Sequence, residues 1–285
     1  MPKVSIVLPS FNGSTYIKKS IESIINQGYT DWELIIVDDC STDETLQIAY
    51  TYAEKDARIK VHHNETNQKL PESLNIGFRQ AAGKYFTWTS DDNLYMPTTI
   101  GRLVEFMDTH PDCGLCYADY MAINAQGEEA KEYKMPEPEQ IVTSNVVGAC
   151  FMYRASVAHE IGEYDTSLFL AEDYDYWMRF ARTSKLMHIP ETLYLYREHE
   201  NSLTQTRWQK VNDAVSKLWE RNWEYILNAL IEPVDKEAFL RKYYTFSLSK
   251  KEAMKKIARE DKSLARTMKF ENLKNAYPRL FKLFG

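Results

Sequence analysis

Apolar and polar positions divide the first 110 residues into alternating short β-rich runs and longer segments of helical period. Runs over 4–9, 32–38, 58–62 and 85–89 predict strands, and segments over about 15–27, 43–55, 72–82 and 97–109 predict helices. This alternation predicts an α/β fold with a mostly parallel, Rossmann-like sheet flanked by helices and joined by right-handed crossovers. Asp43 and Glu44 enrich the start of the second helix in acid, the Ser41 and Thr42 hydroxyls can cap it, and Pro97 suits the first turn of the fourth. Further strands are expected over 114–119 and 146–152, with the polar stretch Asn124 to Glu139 as a connection bordering an acceptor groove.

Beyond Thr204 the pattern turns helical. Trp208, Val211, Val215, Leu218 and Trp219, then Trp223, Ile226, Leu227 and Leu230, recur at three- and four-residue spacing. The chain therefore divides into a domain over 1–204 and a helical appendage over 205–285.

Three predicted strands end in the same way. The run VSIVLP stops at Ser10, Phe11 and Asn12, WELIIVDD at Asp38 and Asp39, and YFTWTSDDN at Asp91 and Asp92. In an open α/β sheet the ligand crevice lies beyond the carboxyl ends of the strands, where adjacent carboxylates can hold a divalent cation and the anion it bridges. Asp and Asn also favour turns, so one such run alone would read as a solvated loop. Three in one sheet read as a site.

With 44% hydrophobic residues in 285, the chain can bury a sizeable core, and disorder is excluded for most of it. No stretch reaches the roughly 20 apolar residues of a spanning helix, and a strand follows the N-terminus at once, so a cytoplasmic protein is expected. Cys40, Cys113, Cys116 and Cys150 fit reduced thiols there; the Cys113/Cys116 spacing invites a metal or redox reading, but its apolar setting and the lack of a second pair favour an inert one. The net charge of −6 conceals an asymmetry: residues 236–285 carry 14 Lys and Arg against 5 Asp and Glu, and residues 1–235 carry 21 against 36. Nucleic acid is excluded as a partner, because the body repels phosphate and the basic tail has no base-reading motif. The tail's apolar residues, among them Tyr243, Phe246, Ile257, Tyr277, Pro278, Leu280, Phe281, Leu283 and Phe284, predict docking on the acidic body of its own or a neighbouring subunit, hence a homo-oligomer. Peripheral contact of 236–285 with an anionic membrane is the alternative.

PSFN at Pro9 to Asn12, VDDCSTD at Val37 to Asp43, TSDD at Thr89 to Asp92, AEDYDYWMR at Ala171 to Arg179 and YREHENSLT at Tyr196 to Thr204 resemble, in order, the family 2 inverting glycosyltransferases of the GT-A fold. The resemblance implies transfer of a sugar from a nucleotide-sugar donor, a UDP-sugar first among them, to a glycan, glycoprotein or lipid-linked acceptor. It implies a divalent cation, Mn²⁺ or Mg²⁺, neutralising the leaving diphosphate. Asp92 matches the metal ligand, with Asp91 nearer the ribose; Thr89 stands where many relatives carry the first Asp of a DxD motif. Asp39 matches the position that hydrogen-bonds the pyrimidine. Pro9 and Asn12 belong to the same nucleotide-binding edge, where Phe11 reads either as the aromatic over the base or as a core aromatic. Lys69 aligns with a basic position near the nucleotide or is a solvated loop lysine, and Asn75 caps or turns the chain. Asp173 matches the catalytic base, with Glu172 orienting it or binding acceptor, against the plain reading of an acidic helix start. His199 faces metal or diphosphate, or is a surface histidine.

Competing classes fare less well. A catalytically silent sugar-nucleotide-binding domain would be favoured by loss of Asp92 or Asp173, and both are present. A dinucleotide oxidoreductase lacks its glycine fingerprint after strand one, where PSFNGS stands, and a nucleotidyltransferase lacks its glycine-rich basic loop.

Overall fold

The computed structural model describes residues 2–199 and 207–276 and divides the chain into two units, Met1–Thr206 and Arg207–Gly285. Among the described residues the first unit holds a nine-stranded sheet: β1 (Val4–Ser10), β2 (Trp32–Asp38), β3 (Ile59–His63), β4 (Tyr85–Trp88), β5 (Leu94–Tyr95), β6 (Cys113–Ile123), β7 (Glu129–Tyr133), β8 (Cys150–Arg154) and β9 (Lys185–Arg197). Their order is β3-β2-β1-β4-β8-β6-β9-β5, with β7 paired to β6. Helices α1 (Ile17–Ile25), α2 (Thr45–Ala53), α3 (Lys69–Arg79), α4 (Thr99–Thr109), α5 (Ala155–Ile161) and α6 (Glu172–Thr183) flank it.

The register follows the hydrophobic pattern. Strands β3, β2, β1 and β4 are mutually parallel. Val4, Ile6 and Leu8 share one buried cluster with Ile17, Ile21 and Ile24 of α1 and Ile100, Leu103 and Met107 of α4. Each such side chain contributes about 1.5–3 kcal/mol on burial. Val7 points the other way, onto α3, where a Cβ on Gly77 would lie 2.4 Å from Val7 Cγ1; only glycine lets that helix sit so close. Pro9 is tolerated inside a central strand because the Thr89 amide bonds the Val7 carbonyl and β4 pairs β1 no further than Val7, so its missing N–H breaks no ladder bond.

The second half of the sheet departs from the parallel expectation. β8 runs antiparallel to β4 and β6, β9 parallel to β6, and β5 antiparallel to β9. The stretch read as a connection contains β7, the strands expected at 114–119 and 146–152 lie at Cys113–Ile123 and Cys150–Arg154, and the long β9 was not anticipated. Helix starts differ too. The Ser41 and Thr42 hydroxyls bond Asn12 rather than capping α2, Pro97 precedes α4, and Asn75 is neither cap nor turn but a buried residue of α3 bonding the Tyr164 main chain at 3.0 and 2.8 Å. Cys113, Cys116 and Cys150 are free and buried, and burial pushes the Cys113 thiol up to about 12.

The second unit contains α7 (Trp208–Arg221), α8 (Trp223–Ala229), α9 (Pro233–Phe246), α10 (Lys250–Glu260) and α11 (Lys262–Ala276). Its apolar stripe is used internally: Trp219 packs on Phe239 at 5.4 Å between ring centroids, and Trp223 on Tyr243 at 4.9 Å. Trp223 also donates its indole N–H to Glu260 Oε1 at 2.9 Å. Trp208, counted in the stripe from sequence, is exposed, as are Ile231, Val234 and Leu248. The boundary at Thr204, the end of the YREHENSLT motif and the closing Tyr277, Pro278, Leu280, Phe281, Leu283 and Phe284 lie outside the described residues. Among the described residues no helix is long and apolar enough to cross a membrane.

Candidate active site

The carboxyl ends of β1, β2 and β4 meet at one edge of the sheet, and their loops are stitched by polar bonds. Asn12, held in the left-handed region at φ 56°, donates its amide to Ser41 Oγ at 2.9 Å and accepts from the Thr42 amide at 2.8 Å. The Gly13 amide donates to Thr45 Oγ1 at 2.8 Å, and a Cβ at Gly13 would stand 2.0 Å from Asp91 Oδ2. Asp43 receives the Thr45 hydroxyl and the amides of Thr45 and Ser14; burial pulls its carboxyl up, but these bonds, the Thr45 hydroxyl foremost, outweigh it and hold it at about 2. Phe11 is 51% exposed, so its core reading is corrected: the ring faces solvent beside the site.

Asp39 is almost fully buried and its carboxylate accepts three bonds, from Asn64 Nδ2 at 2.9 Å, the Gln68 amide at 2.7 Å and the Lys69 amide at 2.9 Å. It therefore supplies the acceptors that the first turn of α3 lacks. Lys69 adopts φ 71°, which turns the chain into the helix while leaving its own side chain exposed, without an ion pair among the described residues.

At the end of β4, Asp91 shares a short hydrogen bond with Ser10 Oγ, and its carboxyl is raised to about 7, by burial first and then by the neighbouring Asp92 charge. Asp92 Oδ2 lies 3.0 Å from His199 Nε2, while Asp92 Oδ1 is buried without a partner. Thr89, in the place of the first carboxylate of a DxD run, is buried and bonds the Tyr194 hydroxyl at 2.5 Å instead. Among the described residues no three metal-ligating side chains converge. A carboxylate with a free oxygen beside one imidazole nevertheless fits a cation that takes its remaining ligands from a bound diphosphate and water.

Glu172 and Asp173 open α6, where acid is favoured by the helix dipole. Leu170 precedes them at φ 78°, a strained position for a non-glycine residue, and its amide donates to Glu172 Oε2 at 2.6 Å. Asp173 accepts from Asn145 Nδ2 at 2.9 Å and the Tyr174 amide at 2.7 Å. Both carboxyls are raised: Glu172 by burial and the Asp173 charge, Asp173 by burial, against which its two hydrogen bonds work. Asp175 is turned away to Arg179 at 2.8 Å. Among the described residues no hydrogen bond joins this pair to the β1–β2–β4 edge; the link is aromatic, with Tyr164 stacked on Tyr176 of α6 at 3.9 Å and receiving the Trp88 indole N–H at 3.1 Å.

Sequence reasoning left Ser10, Tyr16, Asn145 and Arg197 without roles. Arg197 and Ser10 stand inside motifs that drew attention, so their place was marked although their contacts were not. Asn145 and Tyr16 carried no signal beyond residue type.

Residues 5–162 match the family described as Glycosyl transferase family 2. A protein of Haemophilus influenzae named as a glycosyltransferase is 30% identical over 244 residues, covering 80% of this chain and 76% of that one. Among solved structures, Staphylococcus aureus TarS 1–349 in complex with UDP-GlcNAc superimposes with a TM-score of 0.67 at 23% identity, over 86% of this chain and 73% of that one. The mannosyltransferase PcManGT of Pyrobaculum calidifontis, in complex with GDP-Man and Mn²⁺, gives 0.64 at 14% identity, over 99% and 83%. The chain belongs to glycosyl transferase family 2, and its first unit has the GT-A fold of a glycosyltransferase.

Proposed function

We propose that this enzyme is an inverting glycosyltransferase that moves a sugar from a UDP-sugar to a hydroxyl of a glycan, glycoprotein or lipid-linked acceptor, in polysaccharide assembly. Residues 1–204 would form the catalytic domain. The observation that carries the reading is Asp92, a carboxylate at the sheet edge with one oxygen against His199 and the other buried and unpartnered. A divalent cation bound there, Mn²⁺ before Mg²⁺ given the imidazole, supplies charge neutralisation for the departing diphosphate. TarS with a uridine nucleotide and PcManGT with Mn²⁺ support both choices.

In this reading Asp39 meets the pyrimidine at the start of α3, with Lys69 beside it, Phe11 covers the base, Pro9 and Asn12 shape the floor, and Asp91 faces the ribose. Asp173 accepts the proton of the acceptor hydroxyl as that oxygen bonds to the anomeric carbon. The bond to the diphosphate breaks on the opposite face, so the configuration inverts. Asn145 and the Tyr174 amide hold Asp173 in place, and protonated Glu172 orients it without adding a second charge.

A screen of sugar nucleotides with Mn²⁺, read by thermal shift, tests this: ligand at 100 times its Kd adds about 2.7 kcal/mol. One stabilising UDP-sugar, turned over to a product of inverted anomeric configuration, is expected. Binding without turnover would establish a catalytically silent domain instead.

The second unit is proposed as the self-association surface, on the strength of its positive charge and its exposed Trp208, Ile231, Val234 and Leu248. A light-scattering mass well above the 33.4 kDa of one chain is the result this proposal expects. A monomer that binds anionic vesicles would assign the surface to the membrane.

A further inference from the structure

Among the described residues one buried cation lacks a carboxylate partner. Arg197, at the end of β9, is 1% exposed and makes no ion pair among the described residues. Its guanidinium instead donates to carbonyls: Nε to Asp92 at 2.9 Å, and Nη1 to Asn124 at 2.9 Å and Ala125 at 3.1 Å. Its own amide donates to Asn93 Oδ1 at 2.8 Å, and Nη2 is buried with no partner. The planar group lies over the Tyr16 ring, 4.6 Å from its centroid, and that ring stands 5.5 Å from the imidazole of His199.

We infer that Arg197 is a positioning residue that sets Asp92 and His199 as a pair for a cation-bridged nucleoside diphosphate. This rests on the metal-dependent reading proposed above. A buried guanidinium without a counter-charge is costly, and a side chain serving only to tie two loops would be cheaper if neutral. Here the guanidinium fixes the Asp92 main chain through its carbonyl, and Tyr16, in contact with both, relays its place to His199. Arg197 at the end of β9 and Tyr16 just before α1 thus serve one end each of the same pair. Lysine cannot do the same, because one ammonium cannot span the Asp92, Asn124 and Ala125 carbonyls while stacking on Tyr16.

Arg197→Lys keeps the charge and removes the fork, and the assay is calorimetric titration of UDP in the presence of Mn²⁺, with the melting temperature measured alongside. Partners that orient metal ligands typically change affinity by about 10–100-fold, so at least a tenfold loss is expected. Gly77→Ala, on the face of α3 that packs against β1, is the destabilised control, with a lower melting temperature and parental affinity. Tyr16→Leu, which leaves the cation buried, is expected to weaken binding several-fold and provides the test where Arg197→Lys does not fold. Parental affinity in the folded variants overturns the inference alone. An unsubstituted protein that binds UDP equally with and without Mn²⁺ overturns the metal reading and the inference with it.

Discussion

Replacing Asp39 by alanine tests whether the residue matched to the base contact also holds the fold. The substitution removes one buried carboxylate and leaves the Gln68 amide, the Lys69 amide and Asn64 Nδ2 without the acceptor they have at 2.7, 2.9 and 2.9 Å. Loss of a helix cap costs about 1 kcal/mol, and hydrogen bonds to a charged group are worth about 1.5–3 kcal/mol. The two descriptions overlap, because the same carboxylate makes both, so the loss is about 3 kcal/mol rather than their sum with every bond counted. At about 2–4 °C per kcal/mol for a domain of this size, thermal unfolding followed by circular dichroism should show a drop of about 6–12 °C. Asp39→Asn should fall between the two proteins, since its amide keeps an oxygen for two donors and sets a donor against the third. An alanine variant that melts within about 2 °C of the parent would refute the capping argument and leave Asp39 with the proposed base contact alone.

Asp173→Asn should retain UDP affinity in calorimetry while transfer falls by roughly 10²–10⁴, the worth of a general base; equal loss of binding would mark a structural role. Glu172 is raised in the fold, so its protonated form stabilises the native state at low pH and that stability is lost as pH rises through the raised value. Glu172→Gln, which cannot ionise, should therefore melt above the parent by a margin that grows from pH 5 to pH 9, and a constant margin contradicts the assignment. Gly77→Ala places a Cβ 2.4 Å from Val7 Cγ1 and 3.3 Å from Val37 Cγ2, and overpacking of this kind should cost about 1–3 kcal/mol in urea titration.

The parallel half of the sheet was legible because β1, β2 and β4 are apolar runs that stop at carboxylates or amides, and the same stops mark the candidate site. The antiparallel half was not. β7 reads EAKEY, a polar edge strand indistinguishable from a loop by periodicity, and β5 is two residues long. β9 carries Pro190 and Glu191 in its middle, which interrupts the alternation that would have revealed it. Phe11 shows the limit of composition: an aromatic after a buried strand is as plausible in the core as over a ligand, and only exposure decides. Arg197 was invisible as a determinant because its contacts are to main-chain carbonyls of distant segments, which no motif encodes. Asp39's capping of α3 was hidden for the same reason, its partners lying 25 to 30 residues away.

The central claim is that Asp92 and His199 present a cation to a nucleoside diphosphate at the edge of β4. Calorimetric titration of UDP into the intact chain with Mn²⁺, with chelator, and with Mn²⁺ after Asp92→Asn tests it most directly. The account predicts binding in Mn²⁺ that is lost in chelator and weakened at least about tenfold by the substitution, since an amide supplies no compensating charge. Equal affinity in all three titrations would contradict it.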